Sequence, residues 1–433
     1  MKERRLPAND GKKKKEKILS KDYVLLMIAS AGQSSMSYFY MSTMPLYVVK
    51  LGGSLTQAGL VSTSYALVAL ISRPVSGILT DKYGRVKLIV LGALLCTITS
   101  MSLGFAGIIP ILMLIRSVNG FAFSMLSTCS GAAVADILPR SSMAEGIGIY
   151  GLFSTIAQAA APGIALTIIA GDTIGDFRNL FFLTAGICFI AAAAGSGISY
   201  ERKRKKQNAG DLAAVALNES SKSAKGPPEI ADNEPMPKTF FGFEYAVLVP
   251  AAIMMVMYFG LASLMLYLTS FARWKGFGNP GLYYTICAAG VFVSRVVFGR
   301  VADKKGFDII IVPGMIVLAL CLALIPSITS LTALLALAIP IGLAQGAVIP
   351  SFNSLLFKRC SPKRRGTASG ANFAAADCGF AIGAPLLGAL ADATDYSYIY
   401  MAAAVVVALS LVLYLLIASD RRYNKKMNRN THQ

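Results

Sequence analysis

Long apolar stretches run nearly end to end along the chain, separated by short clusters of Gly, Pro and charged residues. A helix needs ~20 mostly apolar residues to cross a bilayer. Twelve stretches meet that length, near 23–50, 57–80, 87–108, 110–136, 144–170, 178–199, 242–270, 281–302, 308–327, 331–356, 366–391 and 396–419. The pattern predicts an all-α membrane protein with twelve transmembrane helices. The first stretch follows a basic segment, as the core of a signal peptide would. It is too long for that role, contains Pro45 and lacks a small-residue cleavage site, so it reads as the first spanning helix.

Residues 200–241 break the pattern. They open with Arg202, Lys203, Arg204, Lys205 and Lys206, continue through Ser, Asn, Ala and Glu, and end among Pro227, Pro228, Pro235 and Pro237. Such a segment cannot bury a core and is expected to be a flexible linker. The domain reading is therefore a basic N-terminus (1–22), a six-helix bundle (23–199), the linker (200–241), a second six-helix bundle (242–419) and a basic tail (420–433).

Composition agrees with the membrane reading: 55% hydrophobic, 15% charged, mean hydropathy +0.60. The formal charge of +19 would suit a nucleic-acid partner if the basic residues were clustered on one soluble surface. They are not. With the N-terminus inside, the inner segments carry 34 Lys and Arg, the outer loops carry four (Lys50, Arg178, Arg273, Lys275), and three arginines lie within spans. That asymmetry is the positive-inside signal of a multi-pass cell-membrane protein with both termini cytoplasmic. No nucleic-acid partner is expected, although Lys12 to Lys15 and the tail can also touch anionic lipid.

The chemistry left open is narrow. The seven cysteines are dispersed, at 96, 129, 188, 287, 321, 360 and 378, and form neither a disulfide framework nor a metal motif. His432 is the single histidine, so no metal site and no histidine relay is expected. No G-x-x-x-x-G-K-[ST] loop occurs, hence no ATP engine, and neither an enzyme nor a cofactor is expected.

The most specific signal is a duplication. Ser72-Arg73-Pro-Val-Ser-Gly77-Ile-Leu-Thr-Asp81-Lys82-Tyr-Gly84 recurs as Ser294-Arg295-Val-Val-Phe-Gly299-Arg-Val-Ala-Asp303-Lys304-Lys-Gly306, shifted by 222 residues. Matched charged turns in two six-helix halves suit a repeat-built transporter whose bundles rock about a midplane site. Gly77-x3-Asp81-Lys82-x-Gly84-Arg85 resembles the loop signature of the major facilitator superfamily, and helix count, topology and linker extend the resemblance over the whole chain. Leu112-x3-Arg116-x2-Asn119-Gly120 resembles the family's L-x3-R-x2-Q-G segment, with Asn in place of Gln. The twelve-helix drug:proton antiporter branch carries a glycine-rich pattern ending in Gly-Pro on the fifth helix. Here that pattern is degenerate, with Ala157 and Ala161 before Pro162 and Gly163. Gly379-x3-Gly383-Ala384-Pro385-Leu386-Leu387-Gly388 on the eleventh helix and Met44-Pro45-Leu46-Tyr47 on the first are closer to that branch.

These residues define the expected sites. Asp81, with Gly77, Lys82, Gly84 and Arg85, forms an inner-face gating latch, its carboxylate held by helix N-termini and by Arg85 or Lys82. Gly299, Asp303 and Gly306 form a second, weaker latch, since Phe307 stands where Arg85 does. The alternative is a topology-fixing turn in which Gly84 supplies a positive φ. Arg73 and Arg295 are expected to snorkel to the inner surface and bind carbonyls. Asp377 is the only carboxylate deep in a span, a candidate proton carrier, unless an arginine of another helix pairs with it structurally. Arg116, by resemblance, supports proton exchange and would tune Asp377 if the bundles bring them together. Otherwise it is a buried structural donor. The substrate cavity is expected from Gln33, Tyr38, Tyr40, Gln158, Met257, Tyr258, Gln345 and Asn353, with Ser37, Met254 and Tyr267 nearby; each would serve equally in helix packing.

Three functions fit: proton-coupled export of a small amphiphilic or cationic compound, uptake of a polar nutrient by symport or uniport, and a non-transporting membrane sensor. The first is preferred, with a small-molecule substrate, protons and the lipid bilayer as partners, acting as a monomer. The topology has a direct test. In a cysteine-free background, a cysteine at Gly171 or Asp392 is expected to react with an impermeant reagent outside intact cells. Labelling at Ala209 would reverse the orientation.

Overall fold

Side-chain caps mark where the apolar stretches begin as discrete helices. Ser54 and Gln57 close a capping box on the second helix, Thr173 and Asp176 on the sixth, and the Ser20, Ser330 and Asp395 side chains each accept from a backbone N–H in the first turn of the helix they precede. The computed structural model describes residues 19–138, 143–202, 239–240, 243–361 and 365–419. Among them are twelve long helices: α1 (Lys21–Lys50), α2 (Leu55–Tyr83), α3 (Arg85–Leu103), α4 (Ile109–Ile137), α5 (Met143–Ile168), α6 (Ile174–Ser196), α7 (Tyr245–Trp274), α8 (Gly281–Lys305), α9 (Asp308–Leu324), α10 (Leu331–Arg359), α11 (Arg365–Ala393) and α12 (Tyr396–Leu413).

Each element matches an expected span, with ends displaced by a few residues. Ten are long and apolar enough to cross a membrane by length and composition among the described residues; the other two, α1 and α8, carry Gln33, Ser37 and Tyr38, and Arg295. Two ends of the expected linker are structured. Glu201 is helical, and Thr239–Phe240 pairs antiparallel with Phe243–Glu244 just before α7. The basic N-terminus up to residue 18, most of the linker (203–238) and the tail from 420 lie outside the described residues.

Helices α1–α6 pack on one another, as do α7–α12, and the two groups meet along α2 with α11 and along α5 with α8. The face where α1 begins and α12 ends is termed the terminal face below, and its opposite the far face. Large apolar side chains such as Ile71, Ile78, Phe105, Leu114 and Val405 remain exposed on the outside, as lipid contact demands.

Glycine sets how closely the helices approach. A Cβ at Gly120 of α4 would fall on the Tyr65 carbonyl of α2, and one at Gly342 of α10 on the Cys287 carbonyl of α8. These two contacts are related by the same shift of 222 residues. Gly120→Ala and Gly342→Ala are each expected to cost about 1–3 kcal/mol through overpacking, read as a lowered melting temperature in detergent. Gly131→Ala, on an open face with nothing within 4 Å, is expected to leave it unchanged or raised.

Candidate functional site

The two seams between the halves carry the polar groups that lie deepest in the helices. At the far end of the α2–α11 seam, Asp392 accepts from the N–H groups of Leu55 (2.9 Å) and Thr56 (2.7 Å) and from the Thr56 hydroxyl (2.6 Å). A carboxylate thus sits on the N-terminus of α2, where the helix dipole favours it. Lower down, Gly59 lies against Ala384 and Pro385, and Thr63 Oγ1 donates to the Ala381 carbonyl at 2.6 Å. At the bottom of this series Arg73 Nε donates to Asp377 Oδ2 at 2.8 Å, with the guanidinium 4.5 Å above the Phe373 ring.

The α5–α8 seam repeats this series. Gly281 lies against Gly163, Thr285 Oγ1 donates to the Ala159 carbonyl at 2.7 Å, and Arg295 Nη1 donates to Thr155 Oγ1 at 3.1 Å. Adding 222 to Gly59, Thr63, Arg73, Thr155 and Ala159 gives Gly281, Thr285, Arg295, Asp377 and Ala381. The backbone-level contacts are duplicated, while the chemistry differs at the arginine, which meets a carboxylate at 377 in one seam and a hydroxyl at 155 in the other, and at the far end, where Asp392 has Ala170 as its counterpart.

Arg116 solves the same problem differently. It is buried, donates to Asn119 Oδ1 at 2.7 Å, and lies 4.2 Å from the Tyr65 ring centre and 5.2 Å from that of Tyr40. Asn119 in turn donates to Thr99 Oγ1 at 2.9 Å. Two ring faces and an amide replace a counter-ion. Tyr65 is within electrostatic reach of both Arg116 and Asp377, and Tyr258 of both Asp377 and Tyr38. Arg73, Arg116, Asp377, Tyr38, Tyr65 and Tyr258 therefore form one central group.

The other expected residues are placed as follows. Tyr38 and Gln158 are half-buried; Gln33 is buried and donates to the Phe123 carbonyl at 3.2 Å. Tyr40 packs edge-on to Phe181 beside Arg116, and Met257 is fully buried in the core. Tyr258 stacks on Phe380, whereas Tyr267 is buried at the far end, donating to the Ala384 carbonyl beside a π-helical turn, Ser263–Tyr267. Gln345 Nε2 and Asn353 Oδ1 are buried without a hydrogen-bond partner.

At the terminal face, the side chains of Asp81 and Asp303, and Gly299, lie outside the described residues. Gly84 has φ +88° and ψ 156°, and Gly306 has φ +89°. Gly84 thus sits in a region essentially reserved for glycine, which is what the turn reading of the repeat required. At Gly77 no close neighbour demands a glycine, and Lys82 is exposed beside the Tyr83 ring. Arg85 or Lys82 was expected to hold Asp81, whose side chain lies outside the described residues; Arg85, from the start of α3, reaches the end of α4, where it pairs with Asp136 and donates to the Ala132 carbonyl. Phe307 and Lys358 occupy the equivalent positions of the second half, with the ammonium 5.3 Å over the ring. Glu201, which the sequence did not single out, accepts from the Arg85 N–H and caps α3.

One expectation is corrected: Arg73 does not snorkel to backbone carbonyls but pairs with Asp377, the pairing with an arginine of another helix that the sequence left open. The cost of an unpaired charge at that depth, and the shared level of the two residues on touching helices, account for the choice.

The Major Facilitator Superfamily profile matches residues 26–376 and 280–433. The chain belongs to the major facilitator superfamily. It is accordingly a multi-pass membrane transporter and not an enzyme. It is 24% identical to the staphylopine export protein of Staphylococcus aureus over 408 residues, covering 91% of this chain and 94% of that protein. It is 26% identical to the multi-drug resistance efflux pump PmrA of Streptococcus pneumoniae, covering 73% and 75%. Similarity to the quinolone resistance protein NorA of Staphylococcus aureus is 22% over 88% and 92%. The fold superposes on the crystal structure of the nucleoside transporter NupG with a TM-score of 0.70 at 14% identity, covering 92% of this chain and all of that one.

A surface clasp closes the far end. Asp172 accepts from Lys50 (3.0 Å) and, across the halves, from Arg273 (2.8 Å). Partial burial pushes its carboxyl up, but the hydrogen bonds and charges of Lys50 and Arg273 outweigh this and hold it below the ordinary carboxylate value. Its carboxylate therefore stays charged and paired at neutral and mildly acidic pH, and the pairing is lost only as the pH falls below the ordinary carboxylate range. Spin labels at Gly107 and Thr329, in a cysteine-free background, are expected to report the same separation at pH 7 and pH 5. Asp172→Asn is expected to broaden that distribution towards longer distances at both.

Proposed function

We propose that this transporter exports a small amphiphilic compound in exchange for protons, by alternating access, with Asp377 as the coupling carboxylate. The observation that carries the reading is the Arg73–Asp377 pair, which joins the two halves in mid-helix. A hydrogen bond to a charged group contributes about 1.5–3 kcal/mol. A membrane potential of 100 mV supplies ~2.3 kcal/mol per charge. The two are of one size, so a single proton arriving at Asp377 is enough to release this one tie between α11 and α2 and shift the balance between two states. The groups facing that carboxylate are Arg73 and Tyr65 on α2 and Tyr258 on α7.

With both termini cytoplasmic, as the basic residues argue, the far face is external. The clasp at Asp172, the cap at Asp392 and the two glycine contacts then describe a transporter shut on the outside. On this reading Gly77, Asp81, Lys82, Gly84 and Arg85, with Gly299, Asp303 and Gly306, form the cytoplasmic latch. Its halves are unequal, since the Arg85–Asp136 ion pair is replaced by Phe307 and Lys358. The named export and efflux functions of the staphylopine export protein and PmrA support the outward direction.

Asp377→Asn in proteoliposomes is expected to lose flux driven by a pH gradient by tenfold or more while retaining counterflow. A variant that still concentrates substrate, with unchanged pH dependence, would remove Asp377 from coupling.

A further inference from the structure

Three arginines lie in mid-helix, and they are met unequally. Arg73 has Asp377, and Arg116 has Asn119 and the rings of Tyr40 and Tyr65. Arg295 has only the Thr155 hydroxyl, at 3.1 Å. It is exposed, and among the described residues it forms no ion pair. Its guanidinium turns across the halves to α5 rather than towards backbone carbonyls, and it lies within electrostatic reach of Tyr38 on α1, which itself stands beside Ser154.

The repeat makes the vacancy specific. Asp377 and Thr155 are equivalent positions in the two seams, so the first seam neutralises its arginine within the protein and, among the described residues, the second does not. A guanidinium presents a rigid fork of donors suited to a carboxylate, and Thr155 and Tyr38 offer hydroxyls and an aromatic wall beside it. A cationic ligand finds nothing comparable, because the one carboxylate of the central group is already engaged by Arg73.

We propose that Arg295, with Thr155 and Tyr38, is the subsite for an anionic, carboxylate-type head group of the transported compound. The cargo is then an anionic or zwitterionic amphiphile, and the cationic substrate that the sequence suggested is set aside. This rests on reading the space between the halves as the substrate path.

Two probes with one aromatic body and opposite head groups, phenylbutyrate and phenylpropyl-trimethylammonium, test it by their effect on the melting temperature of the full chain in detergent. The carboxylate probe is expected to stabilise the protein and the ammonium probe is not. Arg295→Gln is expected to weaken the apparent affinity for the carboxylate at least tenfold, and Arg295→Lys to retain part of it. Thr155→Asp, which supplies the carboxylate that the equivalent position already has, is expected to weaken it as much as Arg295→Gln while preserving the baseline melting temperature. Preference for the ammonium probe, no stabilisation by the carboxylate, or stabilisation that survives both Arg295→Gln and Thr155→Asp would overturn the proposal. No gradient is involved, so a chain that fails to couple to protons still gives the expected binding. Proton-driven flux of the ammonium probe would keep the exporter reading and end this one.

Discussion

A charge inside a membrane-spanning bundle must be met by something, and three arginines at mid-depth impose that demand here. A bare guanidinium at the bilayer centre costs at least ~2.5 kcal/mol by insertion scales. The protein meets it with a carboxylate from the opposite half at Arg73, with two rings and an amide at Arg116, and with a single hydroxyl at Arg295. The first arrangement ties the halves together through an ion pair. The second keeps a positive charge fixed in one half. The third leaves a positive charge open to the space between them.

The two seams show how a duplicated backbone acquires different roles. Small or hydroxyl residues at Gly59, Thr63, Gly281 and Thr285 hold the helices close with backbone-level contacts that either half could supply. Divergence includes positions where one side chain changes the chemistry: Asp377 against Thr155, Asp392 against Ala170, and Arg85 with Asp136 against Phe307 with Lys358. A symmetric scaffold of this kind suits rocking between two faces, and the asymmetric charge makes its two seams chemically distinct.

Much of this was legible in the chain itself. The twelve spans followed from apolar length, and the 222-residue repeat from Arg73, Asp81 and Gly84 recurring as Arg295, Asp303 and Gly306, because these signals are local or periodic. The glycine conformation at Gly84 and Gly306 was likewise readable, since an L side chain is strained at that φ. The partner of Asp377 was not. One carboxylate and three arginines leave the pairing open until the helices are placed side by side, and the same shift that relates Arg73 to Arg295 shows Thr155 as its counterpart only once the contact is known. Met257 and Tyr267 could not be told from cavity residues by spacing, because core and lumen share one helical period.

The central claim is that one seam is closed by an ion pair and its mate is not. Double-mutant cycles on the melting of the full chain in detergent test this, with Arg73→Gln and Asp377→Asn at one seam and Arg295→Gln and Thr155→Ala at the other. The account predicts a coupling of about 1 kcal/mol or more between Arg73 and Asp377, and one at least twofold smaller between Arg295 and Thr155. Additive effects at Arg73 and Asp377, or equal coupling at the two seams, would contradict it.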